Sequence, residues 1–156
     1  MTKFIIGERL SKHHIVKSIS FQGATIDNAK DLVKPVLKPK PRKRIIHVGT
    51  NNIKNDSKMH MQPKLASVVE SIEQEHPSVE IGLSLVVHRQ DDSTLNTSTL
   101  DKINLDLEKY CQQNNIYFIN NDNTKVEQCL NRSGLHLNRK GSFVLAANFS
   151  KFINRN

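Results

Sequence analysis

Apolar and polar residues recur along the chain with two different periods, and the switches between them mark its elements. "HIVKSISF", residues 14–21, alternates strictly and predicts a half-exposed strand. Gly23 follows it. From Thr25 and Asp27 onward, Ala29, Leu32, Val33, Val36 and Leu37 recur at helical spacing, with Pro35 expected to kink the helix or end it early. "RIIHVG", 44–49, is a short apolar run closed by a glycine and reads as a buried strand. From about Met59 to Glu75 one helical stripe carries Met61, Leu65, Val68, Val69 and Ile72, and Pro77 stops it. "VEIGLSLVV", 79–87, is a further strand. After the polar loop "HRQDDSTLNTS", Ser98 with Asp101 resembles a capping box, and Leu100, Ile103, Leu107, Tyr110 and Cys111 predict a helix to about Asn114. "IYFIN", 116–120, makes a last strand, and 139–153 a final helix with Leu145, Phe149, Phe152 and Ile153 inward.

Strands alternating with helices of this length imply right-handed crossovers and a parallel sheet covered on both faces. The expected class is therefore α/β, three-layered α/β/α. A chain of 156 residues fits one such domain.

Composition agrees with a packed core, since 37% of residues are apolar and 24% charged. No run approaches the roughly 20 apolar residues of a membrane span, and Met1 is not followed by a signal-type apolar core. A soluble, intracellular and cytoplasmic protein is expected. Cys111 and Cys129 lack CxxC spacing, which argues against a disulfide framework or a zinc ribbon. His88 with Asp91 and Asp92 has metal-ligand character, but a polar loop explains them more simply, and neither a metal nor a cofactor is expected. His13, His14 and His60 read as surface residues, and His47 as a strand residue.

Charge changes the picture more. Of the formal net +8, residues 1–44 carry 11 Lys/Arg against 3 acids, while 45–156 carry 12 against 12. The densest stretch is "KPVLKPKPRKR", and Lys38, Lys40, Arg42, Lys43 and Arg44 in it are candidates for contacting a nucleic-acid backbone by counterion release. Against this, Pro35, Pro39 and Pro41 suit a solvated loop between helix and strand, and no aromatic residues interleave to stack bases.

In a parallel α/β sheet, ligands sit beyond the carboxyl ends of the strands. "FQGAT", "HVGTNN" and "SGLHLN" are expected there, at one edge. Gly23 can bring a backbone amide close to a bound oxygen, Asn51 can donate its carboxamide to that oxygen, and His136 can take a proton from a hydroxyl nucleophile.

"GAT", "HVGTNN" and "GLHLNRKG" resemble the second, third and fifth blocks of the SGNH hydrolases, the GDSL-like lipase/esterase family, over about residues 4–154. The closest look is to the SGNH-like esterase domains of animal transposon-related proteins. The resemblance implies a flavodoxin-like sheet, Gly23 and Asn51 as oxyanion donors, and His136 as catalytic base. Ser133 stands where the family has an aspartate three residues before the histidine. A hydroxyl there can hydrogen-bond the imidazole but supplies no charge to stabilise imidazolium. Asn52 stands where aspartate is common.

The first block, an apolar strand followed by glycine-aspartate-serine, has no counterpart. One alignment sets "FIIGER" on it, with Glu8 and Arg9 at the aspartate and serine positions; a guanidinium cannot attack a carbonyl, and the 12 positions from Arg9 to Phe21 are too few for a helix and a strand. The other places Met1 just after the missing serine, makes 1–12 the helix that follows it, and implies an N-terminally truncated domain lacking its central strand. Ser11, Ser84 and Ser133 read as loop, strand and capping hydroxyls rather than substitute nucleophiles. Two functions remain: an SGNH-type acyl hydrolase acting on an ester or acetyl group, inactive as written, or a catalytically dead SGNH-like domain that binds RNA or other nucleic acid through its basic N-terminal third.

Overall fold

The computed structural model describes residues 5–53, 58–84, 86–91 and 97–155, which fall into two compact units. One comprises Phe21–Val86 and Leu95–Phe118; the other comprises Met1–Ser20, Val87–Thr94 and Ile119–Asn156. The fold is α/β, with a parallel sheet flanked by helices.

The first unit contains α1 (Ile26–Leu37), β1 (Lys43–Ile46), α2 (Lys58–Glu75), β2 (Glu80–Ser84) and α3 (Thr97–Gln113), and the chain leaves it through β3 (Tyr117–Ile119). The described strands form a three-stranded sheet in the order β1-β2-β3. β1 and β2 run parallel, with Lys43 opposite Glu80 and Ile46 opposite Leu83. Side chains alternate across a strand, so Ile46 and Leu83 share one face. They join Ile26, Ala29 and Leu37 of α1, Met61, Leu65, Val68, Val69 and Ile72 of α2, and Leu100, Ile103, Leu107 and Cys111 of α3 in one buried cluster. Each fully buried Leu or Ile contributes about 1.5–3 kcal/mol, which makes this cluster the main stabilising element of the unit. Burial also pushes the Cys111 thiol up to about 12, leaving it a protonated core residue.

Pro35 does not end α1, which runs two residues further. The carbonyls at its end have outside donors: the Arg44 Nη2 reaches Val36 O at 2.7 Å, and the Lys40 amide reaches Leu37 O at 2.8 Å. α3 is described from Thr97, with Ser98 and Asp101 in its first turn.

In the second unit, α4 (Val126–Cys129) packs on α5 (Arg139–Ile153). α5 has the bounds its periodicity predicts, because Asn138 is a strong cap: its side chain accepts from the Gly141 amide at 2.9 Å and donates to Gln128 O and Leu130 O. Asn148 on its buried side donates to Asn121 Oδ1 at 3.1 Å and Asn123 Oδ1 at 2.8 Å. The N-terminal segment is tied to the end of α5: Ser150 Oγ and Asn154 Nδ2 both donate to Leu10 O, at 2.7 and 3.0 Å.

Two expected elements are absent among the described residues. Residues 15–20 belong to no ladder, and Ile15 and Ile19 are 97% and 50% exposed. Alternation reports which side chains are apolar; only a neighbouring strand can satisfy the backbone and make a ladder. The helix expected over 1–12 is, across its described residues 5–12, a single 3-10 turn at Gly7–Arg9. A Cβ at Gly7 would lie 2.2 Å from Val16 O, so the extended segment presses on the turn's backbone and takes the space a helix would need.

Candidate functional site

The turn after residue 20 and the loop after β1 are joined by two adjacent carboxamides. Gly23 has φ +73°, the left-handed region that favours glycine, in a turn closed by the Ala24 amide to Phe21 O at 3.3 Å. A Cβ there would meet nothing within 4 Å, so the Cα side of the turn is open. Asn51 donates one Nδ2 hydrogen to Ala24 O at 2.8 Å, and its exposed side chain keeps a second hydrogen for another acceptor. Asn52 is 3% exposed. Its Oδ1 accepts from the Ile26 amide at 2.8 Å, which satisfies one of the orphan donors at the start of α1, and its Nδ2 donates to Asp27 Oδ2 at 3.1 Å. Asp27 is also paired with Lys64 of α2 at 2.6 Å. An aspartate at 52 would set two carboxylates together, which is the physical reason asparagine suits this position.

His136 belongs to the other unit, in the loop between Leu130 and Leu137, which form an isolated antiparallel bridge. The loop is held by backbone: the Asn131 amide donates to His136 O at 2.8 Å, and the Gln90 amide to Gly134 O at 2.7 Å. Gly134 has φ +68°, and a Cβ on it would lie 2.9 Å from both Asp91 N and Gln90 C. The imidazole is exposed. Ser133 does not orient it. Its hydroxyl donates to Asn131 Oδ1 at 2.7 Å and accepts from the Leu135 amide at 3.3 Å, because a residue three before His136 turns back into its own loop.

In the neighbouring loop the candidate Asp91 is committed to another partner. Asp91 is held by both ends of the Arg89 guanidinium, whose side chain is 6% exposed, and no group of three ligating side chains occurs among the described residues. Asp92 lies outside the described residues, as does the side chain of His60.

A polar pair missed in the sequence lies at the carboxyl ends of β1 and β2: His47 Nδ1, one residue past β1, and Ser84 Oγ, on the last residue of β2, are 2.9 Å apart, with Ser84 2% exposed. Extending the strand register by one residue sets 47 opposite 84, so pairing "RIIH" with "IGLS" could have revealed it. Burial pushes the His47 imidazole down to about 4, leaving it neutral. Asn104 of α3 clamps the chain beyond β2, accepting from Val86 N and donating to Val86 O, both at 3.1 Å.

The five basic candidates divide. Lys38 and Lys40 are exposed, as is Arg42, which lies 3.8 Å from Glu80. Lys43 is largely covered beside the same carboxylate, and Arg44 is spent on Val36 O, with burial lowering its guanidinium's affinity for protons. The last two are structural. No described helix is long and apolar enough to cross a membrane.

Neither family models nor curated proteins match the chain. Solved structures do. A lipolytic protein of the G-D-S-L family from Veillonella parvula aligns with a TM-score of 0.78 at 16% identity, covering 96% of this chain and 85% of its own. A carbohydrate esterase family 3 protein from Talaromyces cellulolyticus aligns with a TM-score of 0.75 at 16% identity, covering 92% and 72%. A lipase/acylhydrolase from Enterococcus faecalis gives 0.72 at 20% identity, covering 84% and 71%. The chain therefore has the fold of the SGNH, or GDSL-like, hydrolases.

Proposed function

We propose that this chain is an SGNH-type acyl-hydrolase-like domain that keeps the oxyanion and base positions and lacks the serine, so that it binds an ester or acetyl group without cleaving it. The observation that carries this is the Asn51 bond to Ala24 O. It fixes the carboxamide beside the Gly23 turn, where its second hydrogen and the Gly23 amide are the two donors a developing oxyanion requires. His136 is the base of this reading and would accept the proton of an attacking hydroxyl. No glycine-aspartate-serine triplet supplies that hydroxyl. The motifs "HVGTNN" and "GLHLN" support a relation to the esterase-like domains of animal transposon-related proteins.

Hydrolysis of p-nitrophenyl acetate tests this reading. No turnover sensitive to His136→Ala is expected; turnover that disappears with that substitution would show an active enzyme and end the inactive assignment.

A second reading, a nucleic-acid-binding domain without catalysis, is favoured by the exposure of Lys38, Lys40 and Arg42. RNA binding that weakens steeply with salt and is lost when those three are neutralised supports it. Salt-independent binding counts against it.

A further inference from the structure

At the carboxyl ends of α1 and α2, at the other end of α1 from Gly23, a groove of about 520 Å³ is lined by Lys34, Pro35, Leu37, Lys38, Lys40, Glu75 and His76. Three lysines face one glutamate there. Both ring nitrogens of His76 are shielded from solvent and have no partner among the described residues, an arrangement proteins otherwise avoid. We infer that this groove is a binding site for a phosphate ester, independent of the acyl-hydrolase reading.

Three observations carry it. Lys30, Lys34 and Lys38 recur every four residues, so they stand in one row along α1, all exposed, and the row leads into the groove. Lys34 has one weak exposed pair, with Asp31 at 3.5 Å. Helix carboxyl ends ordinarily repel anions, yet here the final carbonyls of α1 are taken up by Arg44 and by the Lys40 amide, and the Ile72 carbonyl of α2 by the His76 amide at 2.8 Å. Lys40 itself is held at φ +50°, a left-handed conformation unusual for a side-chain-bearing residue, and the closing Lys40 amide to Leu37 O bond keeps it in the groove wall. The ammonium groups supply charge, an imidazole N–H supplies a directed bond to a phosphate oxygen, and Pro35 with Leu37 offers an apolar wall for the body of the ester.

The probes are inorganic phosphate, adenosine 5′-monophosphate and a single-stranded oligonucleotide, titrated into the whole chain and followed by backbone amide shifts. Saturable binding is expected to move the amides of Lys38, Lys40 and His76. It should weaken about tenfold in Lys38→Gln/Lys40→Gln and measurably in His76→Asn, and stay unchanged in Lys151→Ala. The lysines are exposed, so the double variant should keep its far-ultraviolet circular dichroism and its fold. A nucleotide bound more tightly than phosphate identifies a mononucleotide ligand; an oligonucleotide bound more tightly per phosphate identifies a nucleic-acid backbone. Failure of all three probes to saturate, or unchanged affinity in either groove variant, overturns the inference.

Discussion

The Gly23 turn and the His136 loop are each built around a glycine in the left-handed region, yet they are held by opposite means. Around Gly23 the side chains do much of the holding: Asn51 bonds Ala24 O, and beside it Asn52, Asp27 and Lys64 form a chain of polar contacts, while the glycine faces open space. Around His136 backbone bonds predominate, supplemented by the Asn131 and Ser133 side chains of the same loop, with Gly134 pressed against Gln90 and Asp91 and the histidine ring exposed. The Asn51 carboxamide is oriented by its neighbours, whereas the His136 ring is not oriented by Ser133. On the proposed reading, the donor half of the site is therefore held more firmly than its proton-transfer half.

Breaking the tighter glycine should have the largest effect. Gly134→Ala combines left-handed strain with a backbone clash and should cost about 3 kcal/mol, read as a lowered urea midpoint. The comparison can be sharpened by pH through His47, whose neutral buried ring lies in the Gly23 unit. Its folded pKa lies below the ordinary 6.5, so the unfolded chain binds more protons between pH 6.5 and about 4. Its contribution, on the order of 2–3 kcal/mol, is complete above pH 6.5 and lost as the pH falls toward 4. Urea midpoints of the protein and of His47→Gln across that range should converge on acidification; parallel profiles would exclude His47 as the cause.

Asn52→Asp should cost about 1–2 kcal/mol by placing a carboxylate against Asp27. Asp27→Asn in the same chain should restore most of it, which a double-mutant cycle measures. Gly23→Ala, strained but unobstructed, should cost about 1 kcal/mol, a third of the effect at Gly134. His136→Ala should shift stability by less than about 0.5 kcal/mol, as expected for an exposed ring that makes no hydrogen bond among the described residues. A larger loss would mean the imidazole is held after all.

Much of the fold was legible. The stripe on α2, the bounds of α5 and the three strands of the sheet follow from periodicity and caps, which are local properties. The strand over 14–21 was misread because an alternating pattern carries no information about whether a pairing strand exists, and the helix over 1–12 because it rested on an alignment of the family's blocks, which carries no information about the space left beside Val16. Among the candidate residues, Gly23 and Asn51 were chosen by type and position at strand ends, and Asn51 does reach the residue next to Gly23. The Asn51 bond to Ala24 spans 27 residues, however, and the His47–Ser84 pair spans 37, distances over which sequence spacing says nothing about contact. The basic segment likewise appeared uniform in the sequence, though Lys43 and Arg44 serve the structure and the lysine row of α1 does not.

By itself the sequence determined the alternation of strands and helices, the glycines where a side chain is disfavoured, and the excess of positive charge near the N-terminus, since each depends on residues close together in the chain. Tertiary structure alone decided which polar groups are spent on one another and which stay available to a ligand. The reason is that hydrogen-bond partnership and desolvation depend on distances in space, which the chain acquires only when its core closes.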